Sequence, residues 1–199
     1  QPVKTGAVLM ATMDGAALSK AFYRYKPSDD GVVDYFDETG QSAKKFLMKT
    51  PINGARLSSS FGNRKHPVLG YTKLHKGTDF AAPTGTPIYA AGNGKVVTYG
   101  ANGTYGNFAK IEHANGYTTA YAHMSRFAKG VSRGSFVKQG QIIGYVGTTG
   151  RSTGPHLHYE VYVNNKPVNA MTLKLPTGRK LGGDQLKAFL AEKARIEAL

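Results

Sequence analysis

Apolar and polar residues alternate with a period of two over much of this chain, most clearly from His156 to Val163. Leu157, Tyr159, Val161 and Val163 fall on one side of an extended segment, and His156, His158, Glu160 and Tyr162 fall on the other. The aromatic and β-branched residues favour a strand. The Gly, Ser and Thr of residues 147–154, closed by Pro155, read as a loop leading into it. The apolar set predicts a buried face, which leaves two histidines side by side on the face opposite.

Further upstream, turn signals recur about every ten residues: Pro83-Thr-Gly85, Gly92-Asn-Gly94, Asn102-Gly103, Asn115-Gly116, Gly130, Gly134 and Gly140. That spacing predicts an antiparallel, mainly β fold. Asn115-Gly116 suits a two-residue type I′ hairpin, whose central residues both need positive φ. A two-residue loop sets Phe108 opposite His123 and Lys110 opposite Tyr121. It puts His123 and Tyr121 together on a polar face, and His113 on the other face with Ile111, Ala120 and Ala122. Two stretches, Gly85 to Val96 and Gly134 to Val146, echo one another as strand, glycine turn, strand.

Residues 1–54 form an N-terminal β segment, with strands expected over Gly6 to Met13, Ala21 to Tyr25 and Val32 to Thr39, and one or two helical turns over Ser42 to Lys49. Three strands are thin support for an independent domain, so this segment reads as the end of a larger upstream region or as an arm. The start at Gln1 fits a processed or trimmed piece. The main domain spans residues 55–172. Residues 173–199 form an extension in which Leu186, Phe189, Leu190 and Ile196 predict an amphipathic helix after a cap at Asp184.

Composition narrows the chemistry. With no cysteine, disulfides and thiolate metal sites are excluded, so any metal must sit on His, Asp or Glu. No apolar run approaches the ~20 residues of a membrane span. The net charge of +14 suggests attraction to a polyanionic surface, for which bacterial wall polymers qualify as well as nucleic acid does, and charge alone does not choose. Lys and Arg are scattered and no nucleic-acid motif is present, so no nucleic acid is expected as partner.

A second chemical cluster is His75-Lys-Gly-Thr-Asp79. Gly77, Thr78 and Pro83 disfavour a helix, so an extended segment is expected. With His123 and the pair His156/His158 it supplies five groups of metal-ligand type. Catalytic zinc typically keeps three protein ligands, and the surplus imidazoles suit acid–base work near neutral pH. Spacing alone does not sort ligands from acid–base partners. His-Glu-x-x-His, a phosphate loop and a Gly-x-Ser-x-Gly elbow are all missing.

Four segments in order carry a family resemblance: Ser-Ser-Phe-Gly-Asn-Arg-Lys-His-Pro (59–67), His75-Lys-Gly-Thr-Asp79, Tyr121-Ala-His123-Met, and Gly150-Arg-Ser-Thr-Gly-Pro-His-Leu-His-Tyr-Glu160. With them, residues from about Arg56 to Asn169 resemble the LytM or lysostaphin-type zinc metallopeptidases that cut peptidoglycan peptides. The resemblance implies an antiparallel β-sheet groove domain, barrel-sandwich-like. It implies Zn2+ on His75, Asp79 and His158, with His123 and His156 flanking the metal-bound water as catalytic groups. Arg64 and His66 match a motif near the groove and either touch substrate or hold a loop. Tyr121 either helps an oxyanion or forms an aromatic wall, and Glu160 either orients a ligand or is a solvated strand residue. Val168-Asn-Ala170 departs from the Asn-Pro of many relatives at a strand exit. Residues 35–57 resemble the lead-in of Gram-negative envelope relatives. The expected activity is therefore hydrolysis of D-Ala–diaminopimelate cross-links between peptidoglycan stem peptides in the periplasm or cell envelope. A pentaglycine endopeptidase is one alternative. A non-catalytic activator of a cell-wall amidase is the other, against which the intact ligand set argues.

Overall fold

The computed structural model describes residues 6–15, 18–29, 31–65, 72–175 and 178–199 of the 199-residue chain. They divide into two compact units, one of residues 47–174 and one that joins residues 1–46 to 175–199.

In the smaller unit, β1 (Met10–Gly15), β2 (Leu18–Tyr25) and β3 (Asp34–Asp37) form an antiparallel sheet in that order. The expected helical turns over Ser42 to Lys49 do not form. Their backbone donors go elsewhere: Ser42 N–H to Arg179 O and Ala43 N–H to Tyr35 O, each at 2.8 Å. The Ser42 hydroxyl donates to Asp34 at 2.6 Å, fixing the bend. The helix α1 (Gly183–Glu197) is present, capped by Gly182. Asp184 lies in its first turn, where a carboxylate suits the helix dipole. Phe189 and Ile196 turn inward with Tyr23, Phe36 and Leu181, while Leu190 stays exposed. Tyr25, Phe36 and Phe189 meet with ring centroids 5.5–6.2 Å apart, a spacing that favours edge and tilted contacts.

The larger unit contains β4 (Arg56–Ser59), β5 (Gly62–Lys65), β6 (Thr72–His75), β7 (Thr78–Ala81), β8 (Pro87–Tyr89) and β9 (Gly94–Ala101). It continues with β10 (Asn107–Glu112), β11 (Tyr117–Phe127), β12 (Phe136–Val137), β13 (Ile142–Val146), β14 (His156–Val163) and β15 (Lys166–Val168). All pairings are antiparallel, and the main sheet runs β12-β9-β10-β11-β14-β7-β4. The two echoing stretches pair crosswise: β12 with β9, and β13 with β8.

The β10–β11 hairpin differs from the sequence expectation. Its loop has three residues, with His113 N–H donating to Tyr117 O at 2.9 Å and Tyr117 N–H to Ala114 O at 3.3 Å. Asn115 and Gly116 do take positive φ, 58° and 72°. The extra residue shifts the register by one, so Ala109 faces Tyr121 and Lys110 faces Ala120. The two-residue loop with both φ positive is instead Asn164-Asn165, between β14 and β15. The two turns touch: Asn164 N–H donates to Gly116 O at 2.9 Å, and a Cβ on Gly116 would meet Asn164 Oδ1 at 2.2 Å.

The new register sorts the faces. Tyr121 pairs with Tyr159 and Ile111 with Thr119, and all four lie on the core side with Leu157 and Val161. Ala120 and Ala122 lie on the opposite side with Phe108. His113 is a core histidine. Ala91 N–H donates to the Tyr121 hydroxyl, Tyr121 to Thr119, Thr119 to His113 Nε2, and His113 Nδ1–H to Asn93 O, at 2.7–2.9 Å throughout. Burial pushes its imidazole below the ordinary pKa, in keeping with the neutral ring this chain requires.

Candidate active site

Antiparallel pairing of β7 with β14 sets Asp79 directly opposite His158 and Ala81 opposite His156. Paired residues project to the same face, so Asp79, His156 and His158 share the side away from the core. His75 ends β6, and Lys76-Gly77 breaks the strand before β7 begins. Gly77 is needed there. A Cβ on it would stand 2.7 Å from His158 Cε1 and from the Tyr159 carbonyl oxygen.

Three donor atoms converge: His75 Nε2 lies 3.2 Å from His158 Nδ1 and 3.2 Å from Asp79 Oδ1, and the last two are 2.7 Å apart. Donors held ~2.0–2.2 Å from a tetrahedral zinc stand about 3.3 Å from one another, so two imidazoles and a carboxylate at this spacing fit such an ion. Each imidazole is also turned to offer the right nitrogen. His75 Nδ1–H donates to Ser60 O at 2.9 Å, freeing Nε2. His158 Nε2–H donates to Glu160 at 3.0 Å, directing Nδ1 to the centre.

Glu160 is buried, not solvated, and accepts from three groups: His158, the Tyr105 hydroxyl at 2.9 Å and the Tyr162 hydroxyl at 2.6 Å. Burial alone would raise its pKa; the hydrogen bonds from His158 and Tyr162 outweigh that and hold it below the ordinary value. For His158, burial disfavours the charged ring, but hydrogen bonds to Asp79 and Glu160 prevail and lift its pKa to about 9. Asp79 follows the same logic: burial opposes its charge, and His158 and His75 hold it well below the usual carboxylate range. Tyr105 is pushed up to about 12 by burial and by Glu160.

His123 reaches the same face by an irregularity. Its φ of 62° lies in the left-handed region, uncommon for a non-glycine residue. The register of β11 with both β10 and β13 shifts around it, the mark of a bulge that re-aims a side chain. Its ring centroid lies 4.7 Å from that of His156 and 6.0 Å from that of His158. The loop before β14 anchors both remaining imidazoles. His123 Nδ1–H donates to Thr149 O and His156 Nδ1–H to Gly154 O, each at 2.8 Å. Both therefore turn Nε2 to the groove; among the described residues neither Nε2 makes a hydrogen bond, and that of His156 stands 3.9 Å from Asp79 Oδ1. Burial lowers the pKa of His123, and the neighbouring imidazoles add to that against the Thr149 carbonyl.

The five residues singled out as ligands or acid–base groups thus line one groove of about 430 Å³. Arg64 lines it too, within 3.4 Å of Asp79 Oδ2 and against the Ser59 hydroxyl, which suits a group that steadies the Asp79 carboxylate. Tyr121 does not share a face with His123. The bulge at His123 breaks the alternation, and the Tyr121 hydroxyl is buried in the core network. His66 lies outside the described residues. Tyr105, Thr149 and Gly77 escaped the sequence reading; Gly77 and Thr149 sit inside or beside the motifs, while Tyr105 follows an Asn-Gly turn that carries no chemical signal of its own.

Residues 73–170 match the model of Peptidase family M23. The chain is 46% identical over 173 residues to the peptidoglycan DD-endopeptidase ShyC of Vibrio cholerae, covering 86% of this chain and 40% of that one. It is 48% identical over 149 residues to the DD-carboxypeptidase/endopeptidase Mpg of Neisseria meningitidis, covering 75% and 34%. The chain thus spans two fifths or less of the length of these curated relatives. Among solved structures, it is similar to a zinc-containing peptidase from Vibrio cholerae, with a TM-score of 0.64 and 38% identity over 84% of this chain and 50% of that one. It is also similar to the catalytic domain of the M23 protein EnpA from Enterococcus faecalis, with a TM-score of 0.51 and 40% identity over 61% and 93%.

Proposed function

The chain belongs to peptidase family M23, and from that premise we propose that it is a zinc-dependent endopeptidase hydrolysing the peptide cross-links of bacterial peptidoglycan, with the D-Ala–diaminopimelate bond as target. The relatives named as DD-endopeptidases support the substrate. The observation that carries the chemistry is the convergence of His75 Nε2, Asp79 Oδ1 and His158 Nδ1 beside two imidazoles with free Nε2 atoms. We assign the metal to the first three and acid–base work to His123 and His156. The chain would act outside the cytoplasm, in the periplasm or envelope where its substrate lies.

Zinc held by these donors would polarise the scissile carbonyl and lower the pKa of water from ~16 to ~7. Glu160 keeps the proton on His158 Nε2 and so keeps Nδ1 directed at the centre. His123, held neutral by burial, is suited to accept a proton at Nε2 from the attacking water. His156, fixed through Gly154, is placed to deliver one from Nε2 to the leaving amine.

The test is digestion of purified Gram-negative peptidoglycan, with product masses read by chromatography, for the native chain, His156→Ala and a chelated sample. Conversion of cross-linked dimers to monomers is expected, lost in both controls and restored to the chelated sample by zinc. Zinc binding without any cleavage would refute the reading.

A further inference from the structure

The groove carries cations that neither the donor cluster nor the acid–base pair uses. Arg64 is engaged with Asp79. Lys76 and Arg151 also line the groove, are exposed, and have side chains that make no hydrogen bond or ion pair among the described residues.

Arg151 sits on the better-fixed support. Its N–H donates to Thr104 O at 2.9 Å. Beside it, Gly150 packs so closely that a Cβ would stand 2.3 Å from Gly106 N and 2.6 Å from Thr104 O. On its other side the Ser152 hydroxyl donates to Gly154 O at 2.8 Å, accepts from Thr148 at 2.9 Å, and lies 3.3 Å from His156 Nδ1. Arg151 therefore occupies the middle of the loop whose Thr149 carbonyl orients His123 and whose Gly154 carbonyl orients His156.

The chemistry of the bond supplies the partner. In a D-alanyl–diaminopimelate cross-link, the carbon attached to the scissile nitrogen carries a free carboxylate. The imidazole that protonates the leaving amine must approach that nitrogen, so the carboxylate comes close to His156, and Arg151 lines the same groove on the loop that fixes that ring. A guanidinium binds a carboxylate through two parallel hydrogen bonds, which fixes orientation as well as adding affinity.

We propose that Arg151 binds the carboxylate on the leaving-group side of the scissile bond and so sets the preference for D-alanyl cross-links over peptide bonds lacking it. This rests on the endopeptidase reading above and deepens it.

The test compares two synthetic substrates, a D-alanyl–diaminopimelate peptide with this carboxylate free and the same peptide with it amidated, on zinc-loaded protein. The readout is the ratio of kcat/KM values, which a merely structural role of Arg151 would not move. The native chain should prefer the free carboxylate by roughly ten- to a hundredfold, the range of a charge-assisted hydrogen bond. Arg151→Gln should bring the ratio near one, Arg151→Lys should keep part of it, and Lys76→Gln should leave it in place. Zinc content and circular dichroism establish that each variant is folded, and Arg151→Lys carries the test if Arg151→Gln is not. A native ratio near one, a preference that survives in Arg151→Gln, or one lost in Lys76→Gln instead would overturn the assignment. Cleavage of neither substrate would overturn the endopeptidase reading, and this inference with it.

Discussion

Glu160→Gln separates two effects of one carboxylate. The substitution keeps the volume and an acceptor oxygen but removes the charge that, with Asp79, lifts the His158 pKa to about 9. Below that pH the metal-free site holds a proton that zinc must displace from Nδ1. At pH 7, about two units lower, the competition weakens zinc binding on the order of a hundredfold relative to its plateau. Because the pKa is raised, the sign is fixed: affinity climbs about tenfold per pH unit from 7 to 9, then levels. In the variant, His158 Nε2–H loses its charged acceptor, which costs roughly 10–100-fold in metal affinity. That loss stands alone above pH 9. The variant also lowers the His158 pKa, so its climb ends at a lower pH and the gap to the native chain narrows toward pH 7. Competition with a chromophoric chelator from pH 6.5 to 9.5 measures both curves. A native affinity independent of pH between 7 and 9, or two parallel curves, would refute the reasoning.

Three further substitutions test the packing around the groove. Gly77→Ala wedges a methyl between the His158 ring and the Tyr159 carbonyl, and since the backbone oxygen cannot yield the ring must shift, so chelator competition should find zinc affinity down by more than about tenfold. Tyr121→Phe strips Ala91 N–H of its acceptor and Thr119 of its donor, so urea denaturation should record a loss of about 1–3 kcal/mol while the folded protein still cleaves. Lost cleavage at unchanged stability would instead draw that hydroxyl into the chemistry. Thr78→Val removes a buried hydroxyl that has no hydrogen-bond partner among the described residues, and thermal unfolding should register no loss or a gain of about 1 kcal/mol; a clear loss would mean the hydroxyl is satisfied in solution.

The antiparallel β architecture, the C-terminal helix and the two-faced strand over His156 to Val163 were legible because period-two alternation and glycine turns act locally. So was the set His75, Asp79, His123, His156 and His158, since short motifs survive in sequence even when the strands joining them are far apart. What failed was phase. One additional loop residue moved the β10–β11 register by one, and the positive φ of His123 reversed its face relative to Tyr121. Neither is written plainly in residue type: histidine is enriched at positive φ, but too few histidines adopt it for the residue alone to announce a left-handed backbone. Glu160 was ambiguous for a different reason. A carboxylate on a strand reads alike whether solvated or buried, and one of the three donors that decide it, Tyr105, lies 55 residues earlier. The turns expected over Ser42 to Lys49 gave way to hydrogen bonds with Tyr35 and Arg179, partners no local window contains.

The smaller unit is assembled from both flanks of the chain, so the order of synthesis matters to it. Tyr23 and Phe36 leave the ribosome before Phe189 and Ile196, which pack against them. At ~5–20 residues per second, the roughly 150 residues between Phe36 and Phe189 take about 8–30 s to translate. For that interval the three-stranded sheet lacks the helix residues that pack on its apolar face, while all of residues 47–174 are made. A nascent chain halted before α1 would hold every groove residue but leave the apolar face of the three-stranded sheet without Phe189 and Ile196, so the two units differ in how early their cores can close.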